Sequence, residues 1–202
     1  MELTVHDLVF LKSMDQIDYF GQYPDWMNED EMAQGIAVVR RMKVEDGKVA
    51  IGFRGDNRSK RFAAITTISN IKRVIRPFDV LANSYPATHI QSLTYIEKVL
   101  DDLKWGIGGS VGFSMATGIT VCHENSDIDI ILYCKRLQEL DQLTPIFSQL
   151  QKSKSAHRVD VQVEILGVGA VVLADYLNHS SFIVRTSTGP ILLEKESLIY
   201  QG

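Results

Sequence analysis

The sequence predicts an α+β protein in which a smaller β-rich amino-terminal domain precedes a domain that combines strands and helices. Two observations predict this class. Short apolar segments separated by turn residues fill the first part of the chain, whereas an amphipathic helix and then alternating strand-like and helix-like segments fill the second. Proline and asparagine interrupt the pattern between residues 77 and 88, so we expect the domains to span residues 1–84 and 85–202.

Three segments of the first domain have the composition of strands. They are Ile36–Arg41, Val49–Phe53 and Phe62–Ile68, each rich in β-branched or aromatic residues. Glu45-Asp46-Gly47 lies between the first two segments and predicts the turn of a hairpin, because Asp-Gly is a preferred turn pair.

The second domain is predicted to begin with a helix. Thr88 is the expected N-cap, and an apolar residue then recurs every three or four positions, which is the period of one helix face. The apolar residues of this face are Ile90, Leu93, Ile96, Leu100 and Leu103.

Strands and helices alternate in the rest of the chain. The predicted strands are Trp105–Ile107, Asp127–Cys134, Val159–Ile165, Phe182–Arg185 and Ile191–Leu193. The predicted helices lie near Val111–Thr117, Thr144–Gln151 and Ala170–Leu177, and Pro145 suits the first turn of the second one.

Composition narrows the class of protein. With 202 residues, of which 45% are hydrophobic, the chain can bury a core without disulfides or structural metals. We therefore expect Cys122 and Cys134 to be reduced thiols, with a disulfide between them as the alternative. No apolar run is long enough to span a membrane, and acidic residues stand where a secretory signal is basic. We expect a cytoplasmic protein with no membrane association.

Charge is distributed unevenly along the chain. The net charge is −7 over residues 1–36, +8 over residues 37–76 and −5 over residues 77–202. A basic block in an acidic protein suggests a local anion site, and Arg54, Arg58 and Arg61 are its candidate phosphate ligands. The alternatives are a solvated loop or a patch that docks an acidic protein. An overall charge of −4 and a pI near 5.7 argue against nucleic acid as a partner.

Two carboxylates are predicted to share one site. Asp127 and Asp129 lie two positions apart in an apolar strand, so their side chains project from the same face. At about 6 Å and an effective dielectric constant near 20, two such charges repel by roughly 3 kcal/mol. A divalent cation or a shared proton relieves this repulsion, and ligands made only of oxygen favour Mg²⁺.

A glycine turn precedes the carboxylates. In Gly108-Gly109-Ser110, backbone N–H groups, a hydroxyl and the start of a helix together predict a phosphate site. The glycine-serine turn followed by Asp-x-Asp resembles the nucleotidyltransferase superfamily related to polymerase β, which implies a mixed sheet with helices as the core of the second domain. Members usually carry a third carboxylate on a neighbouring strand. Asp160 fits that position, with Glu164 as the alternative and a surface acid as the simpler interpretation.

The resemblance extends to one family, the malonate decarboxylase holo-acyl carrier protein synthases, which are phosphoribosyl-dephospho-CoA transferases. It covers nearly the whole chain, including His6-Asp7-Leu8, Gly52-Phe53-Arg54-Gly55, Trp105–Gly118, Val159–Glu164 and Arg185-Thr186. The chain departs from the family at Ile107, where proline is usual, and at Ser114-Met115, where Glu-Leu is usual. These departures affect fine positioning and leave the carboxylate pair intact.

The resemblance implies a reaction. A family member joins 2′-(5″-triphosphoribosyl)-3′-dephospho-CoA to a serine of the apo acyl carrier subunit of malonate decarboxylase and releases diphosphate. It implies that Asp127, Asp129 and Asp160 bind Mg²⁺ and are catalytic, and that Gly109 and Ser110 bind the leaving phosphates. The alternatives are an ATP-dependent nucleotidyltransferase acting on a small molecule or protein, and a non-catalytic binding module.

Overall fold

The computed structural model describes residues 2–30, 34–57, 59–152 and 157–199. The chain divides into two compact units, Met1–Arg76 and Pro77–Gly202, whereas the sequence placed the division after residue 84. The residues between these two positions make contacts inside the second unit. The backbone N–H of Ile107 donates to the carbonyl of Pro77 at 3.1 Å, and the side-chain amide of Asn83 donates to the carbonyl of Met115 at 2.8 Å.

The first unit is built on a six-stranded sheet in the order β2-β5-β4-β3-β1-β6. All of its strand pairs are antiparallel. The strands are β1 (Leu8–Leu11), β2 (Ile17–Asp18), β3 (Ile36–Val39), β4 (Lys48–Arg54), β5 (Arg61–Thr67) and β6 (Ile71–Ile75). A short helix, α1 (Trp26–Glu29), contributes Met27 to the core.

The core of the first unit lies on one face of this sheet. Side chains alternate between the two faces of a strand, so every second residue of a strand points to the core. Val9, Ile51 and Phe53 are among its deeply buried members, at 0–2% exposure. The β-rich character predicted for this part of the chain is thereby confirmed, and the three predicted strands correspond to β3, β4 and β5 within one or two residues.

The second unit contains a mixed six-stranded sheet in the order β12-β11-β10-β9-β8-β7. Only the neighbouring strands β8 and β9 are parallel among the strand pairs of this sheet in the described residues. The strands are β7 (Trp105–Ile107), β8 (Ile128–Cys134), β9 (Val159–Ile165), β10 (Gly169–Val172), β11 (Ser181–Thr186) and β12 (Gly189–Glu194).

Helices accompany this sheet. They are α2 (Ile90–Val99), α3 (Gly109–Thr117), α4 (Thr144–Lys152), α5 (Leu173–Asn178) and α6 (Lys195–Ile199). Helix α5 packs across β9, β10 and β11, where Tyr176 meets Phe182 edge to face, and α2 packs against α4. The apolar side chains of β8 and β9 that lie on the same face as Phe182 are buried, for example Ile130 and Val163. The opposite face carries Asp129 of β8 with Asp160 and Glu164 of β9, and also the buried Ile131, so it is polar only in part.

Several local predictions were wrong. The residue in the cap position of α2 is His89 and not Thr88. The side chain of His89 makes no hydrogen bond to the first turn of the helix. The segment predicted as a helix from Ala170 to Leu177 is strand β10 followed by α5, since β10 pairs with both β9 and β11. Strands β1, β2 and β6 were not predicted, and neither was α6.

The helices of the described residues include none that is both long and apolar enough to cross a membrane.

Candidate active site

The glycine turn joins β7 to α3. Gly108 is the residue that caps α3, and its backbone N–H donates to the carbonyl of Asp129 at 2.8 Å. This hydrogen bond ties the turn to β8. The first N–H groups of a helix have no carbonyl partner within the helix, and Gly108 has no side chain to supply one. The start of α3, where Ser110 is half-buried, therefore suits an anion.

Gly109 brings the start of α3 into contact with a carboxylate. Its φ is +59°, in the left-handed region that glycine tolerates, and a Cβ at this position would overlap the carboxylate of Asp129. Gly112 serves a similar purpose one turn later, because a Cβ there would overlap the carbonyl of Ile107. The two glycines thus allow α3 to approach both the turn and β8 closely.

The three predicted carboxylates lie near one another on β8 and β9. Asp127 immediately precedes β8, and Asp129 lies within it, so the two acids are two positions apart at the start of this strand. In the parallel pair of β8 and β9, Asp129 is the direct partner of Asp160. Neighbouring strands are about 4.8 Å apart, so these two side chains project side by side. All three acids are half-buried.

Asp160 has a partner that was not predicted. Its Oδ1 accepts hydrogen bonds from Nη2 of Arg158 at 2.8 Å and from Nε at 2.9 Å. The side chain of Arg158 is 72% exposed and that of Asp160 is 41% exposed, so water screens the pair and it adds little stability. Arg158 lies two positions before Asp160. Because residues two positions apart in an extended segment share a face, the sequence could have predicted this ion pair.

The described residues contain no group of three or more His, Cys, Asp or Glu side chains arranged to hold a metal ion. The predicted set of three carboxylates is therefore not assembled in this structure. Two acids, Asp127 and Asp129, remain close together in the sequence at the start of β8. Magnesium is commonly held by one or two carboxylates together with substrate phosphates, so the chemistry of Asp127 and Asp129 fits this ion. Glu164, the alternative third acid, accepts a hydrogen bond from Gln162 at 2.9 Å.

The predicted arginines belong to the first unit. Arg54 and Arg61 are direct partners across the β4–β5 hairpin, so they lie on the same face. Arg54 is half-buried and Arg61 is exposed. Two like charges opposite each other on a hairpin repel, and a bound anion relieves that repulsion. Arg58 lies outside the described residues.

Two histidines near the carboxylates were not predicted from the sequence to belong to the site. His89 bonds the carbonyl of Ser126 at 3.1 Å, and His157 bonds the carbonyl of Glu124 at 2.8 Å. These carbonyls belong to the segment that leads into Asp127. No sequence pattern links the two histidines, because they come from distant parts of the chain and meet only in the folded unit.

A helix start that suits an anion and lies beside a carboxylate, on a two-domain α+β scaffold, is typical of transferases that act on phosphate-bearing substrates. Two family models match the chain. The phosphoribosyl-dephospho-CoA transferase MdcG N-terminal domain matches residues 4–77, and the phosphoribosyl-dephospho-CoA transferase MdcG C-terminal domain matches residues 75–196. The chain belongs to the phosphoribosyl-dephospho-CoA transferase family and is an enzyme of the transferase class.

Curated relatives agree with this assignment. A phosphoribosyl-dephospho-CoA transferase of Pseudomonas fluorescens is 33% identical over 184 residues, which cover 89% of this chain and 86% of that protein. Proteins of the same name from Azotobacter vinelandii and Klebsiella pneumoniae are 31% and 28% identical, over 89% and 91% of this chain and 86% and 91% of their own length. No solved structure matches the chain. The resemblance noted in the sequence is thereby confirmed.

Proposed function

We propose that the second unit is a polymerase-β-like nucleotidyltransferase core that transfers phosphoribosyl-dephospho-CoA. The donor is 2′-(5″-triphosphoribosyl)-3′-dephospho-CoA, and the acceptor is a serine of the apo acyl carrier subunit of malonate decarboxylase. One observation carries the proposal: the carboxylate of Asp129 lies directly against Gly109, at the start of α3. A phosphate bound at this helix start would lie next to Asp129, the carboxylate that would bind the Mg²⁺ ion paired with that phosphate. We expect the reaction to take place in the cytoplasm.

Substrate binding is assigned to two groups of residues. The backbone of Gly109 and the hydroxyl of Ser110 hold the β- and γ-phosphates, which leave as diphosphate. Arg54 and Arg61, with Arg58 between them in the sequence, are assigned to a separate phosphate-binding site on the first unit. Forked guanidinium groups bind phosphate oxygens two at a time, and the pairing of Arg54 with Arg61 supplies two of them on one face.

Asp127 and Asp129 would hold Mg²⁺, because the carboxylate of Asp129 lies beside the phosphate site and Asp127 is two positions away at the start of β8. When bound, the ion neutralises charge on the phosphate oxygens. Asp160 completes this set once the substrate draws it away from Arg158. The ion pair with Arg158 is solvent-exposed, so little free energy opposes its exchange.

The transfer requires one bond to form and one to break. The serine oxygen of the carrier attacks the α-phosphorus, and the bond from that phosphorus to the bridging oxygen breaks. Diphosphate leaves with the electron pair of that bond. The serine proton passes to Asp160, whose side chain lies on the strand next to Asp129. The main tasks of the protein are to align the two oxygens and to balance the charge of the phosphates.

A mass measurement tests this proposal. The chain is incubated with apo acyl carrier subunit, Mg²⁺ and the triphosphoribosyl donor, and the carrier is then weighed. We expect a gain equal to the phosphoribosyl-dephospho-CoA group. A gain equal to AMP, seen with ATP in place of the donor, would instead indicate an ATP-dependent nucleotidyltransferase. An unmodified carrier that still binds the chain would indicate a binding module.

Variants connect the activity to the site. Asp127→Asn and Asp129→Asn should leave the chain folded and abolish the transfer, because a neutral amide cannot balance a divalent cation. Asp175→Asn is the matched control, since this acid is exposed on α5. Full activity in Asp127→Asn or Asp129→Asn, with unchanged circular dichroism, would refute the assignment.

A further inference from the structure

The sheet holds the backbone only on the carboxyl-terminal side of Asp127. The backbone N–H of Ile128 bonds the carbonyl of Arg158 at 2.9 Å, which begins the β8–β9 ladder. Residues 118–127, on the amino-terminal side of that point, contain no helix or strand. The direction of the Asp127 side chain therefore depends on whatever holds the backbone of residues 124–126.

His89 holds the carbonyl of Ser126. Its ring is fully buried, and its Nε2 lies 3.1 Å from that oxygen. A carbonyl only accepts hydrogen bonds, so Nε2 carries the proton and donates. The other ring nitrogen, Nδ1, lies 2.9 Å from the hydroxyl of Thr88, which donates to it. Burial lowers the pKa of His89, which keeps the ring in this neutral form.

His157 holds the carbonyl of Glu124 in the same way. Its Nε2 donates to that oxygen at 2.8 Å, and its Nδ1 lies 2.8 Å from the hydroxyl of Ser92 on α2. The rings of His89 and His157 are stacked, with centroids 4.1 Å apart and planes 25° apart. Each ring thus fixes the orientation of the other. Together they connect the start of α2, the segment before β8 and the segment before β9.

We propose that His89 and His157 are positioning residues that hold the backbone before β8 and so aim the carboxylate of Asp127 at the metal. The inference rests on the proposed function, in which Asp127 binds Mg²⁺. Residues behind a metal ligand commonly change metal affinity or activity by about 10- to 100-fold when they are removed. Neither histidine contacts the metal or the substrate in this proposal.

The test uses the full chain and four substitutions. His157→Ala removes the donor to Glu124, whereas His157→Gln keeps an amide N–H close to the position of Nε2. His89→Ala and His89→Gln repeat the comparison at the buried ring. His179→Ala is the matched control, because His179 is an exposed histidine of the same unit, at the end of α5. Binding of Mn²⁺ alone is measured by electron paramagnetic resonance, and kcat and KM are measured with the carrier subunit.

We expect His157→Ala to weaken Mn²⁺ binding and to lower kcat, each by about tenfold or more, with little change in KM for the carrier. His157→Gln should recover most of both losses, and His179→Ala should match the unsubstituted chain. If His89→Ala does not fold, the comparison of His157→Ala with His157→Gln still tests the proposal, because His157 is only half-buried.

Two results would overturn the proposal. One is unchanged Mn²⁺ binding in His157→Ala while Asp127→Asn has lost it. The other is a loss in His157→Ala that His157→Gln does not recover. Failure of the proposed function gives a different pattern, in which Asp127→Asn itself retains metal binding and transfer.

Discussion

Replacing Gly109 by alanine should damage the site and the fold in ways that can be separated. The φ of Gly109 is +59°, and an added Cβ would overlap the carboxylate of Asp129. The substitution therefore imposes two costs, a strained backbone and a steric conflict with the carboxylate of Asp129. Gly118 ends the same helix with a φ of +76°, and a Cβ there would meet no atom within 4 Å. Gly118→Ala thus carries the first cost without the second.

The expected losses of stability follow from these two costs. Left-handed backbone costs an alanine roughly 1–2 kcal/mol, which should be the main loss in Gly118→Ala. Forcing an extra carbon into an occupied space adds typically 1–3 kcal/mol in Gly109→Ala. We therefore expect Gly109→Ala to lower the free energy of unfolding by about 2–5 kcal/mol and Gly118→Ala by about 1–2 kcal/mol. Because the carboxylate of Asp129 must move, kcat should fall about 100-fold in Gly109→Ala alone.

Urea unfolding followed by circular dichroism measures the stabilities, and the mass of the carrier product over time measures the rates. A double-mutant cycle then identifies the cause. In an Asp129→Ala background, most of the overlap is gone, so Gly109→Ala should cost about as much as Gly118→Ala does. The reasoning fails if Gly109→Ala keeps the rate of the unsubstituted chain, or if its cost is the same with and without the Asp129 carboxylate.

Three further predictions concern substrate binding and pH. Ser110→Ala should raise KM for the triphosphoribosyl donor severalfold with little loss of stability, because a single hydroxyl contact to phosphate is removed; unchanged KM would argue against the phosphate role. Arg61→Ala should weaken binding of diphosphate in a calorimetric titration, whereas Lys72→Ala, another exposed cation of the first unit, should not. Burial lowers the pKa of His89 in the folded chain, so the unfolded chain binds more protons below about pH 6.5. Stability should therefore fall as the pH drops from 7.5 to 5.5, and His89→Gln should lessen the fall in the thermal midpoint.

The elements that were predicted well have strong local patterns. Strands β7 and β9 have the predicted bounds, and β8 begins one residue later than predicted. In the first unit, β1 and β6 were missed because each is a short segment whose pairing joins distant parts of the chain, Leu8 with Ile75 for example. The segment from Ala170 to Val172 was predicted as part of a helix because its apolar run suits either structure, and only its pairing with β9 and β11 selects a strand.

The sequence by itself determined the family and the strand that carries Asp129, because the apolar pattern of a strand is a local property of the chain. Only the tertiary structure decided which groups meet the acidic residues of the site. It placed Asp129 against Gly109, paired Asp160 with Asp129 and with Arg158, and stacked His89 on His157 beside the segment before β8. Strand register and ring contacts of this kind arise from packing between distant segments, and no local period in the chain encodes them.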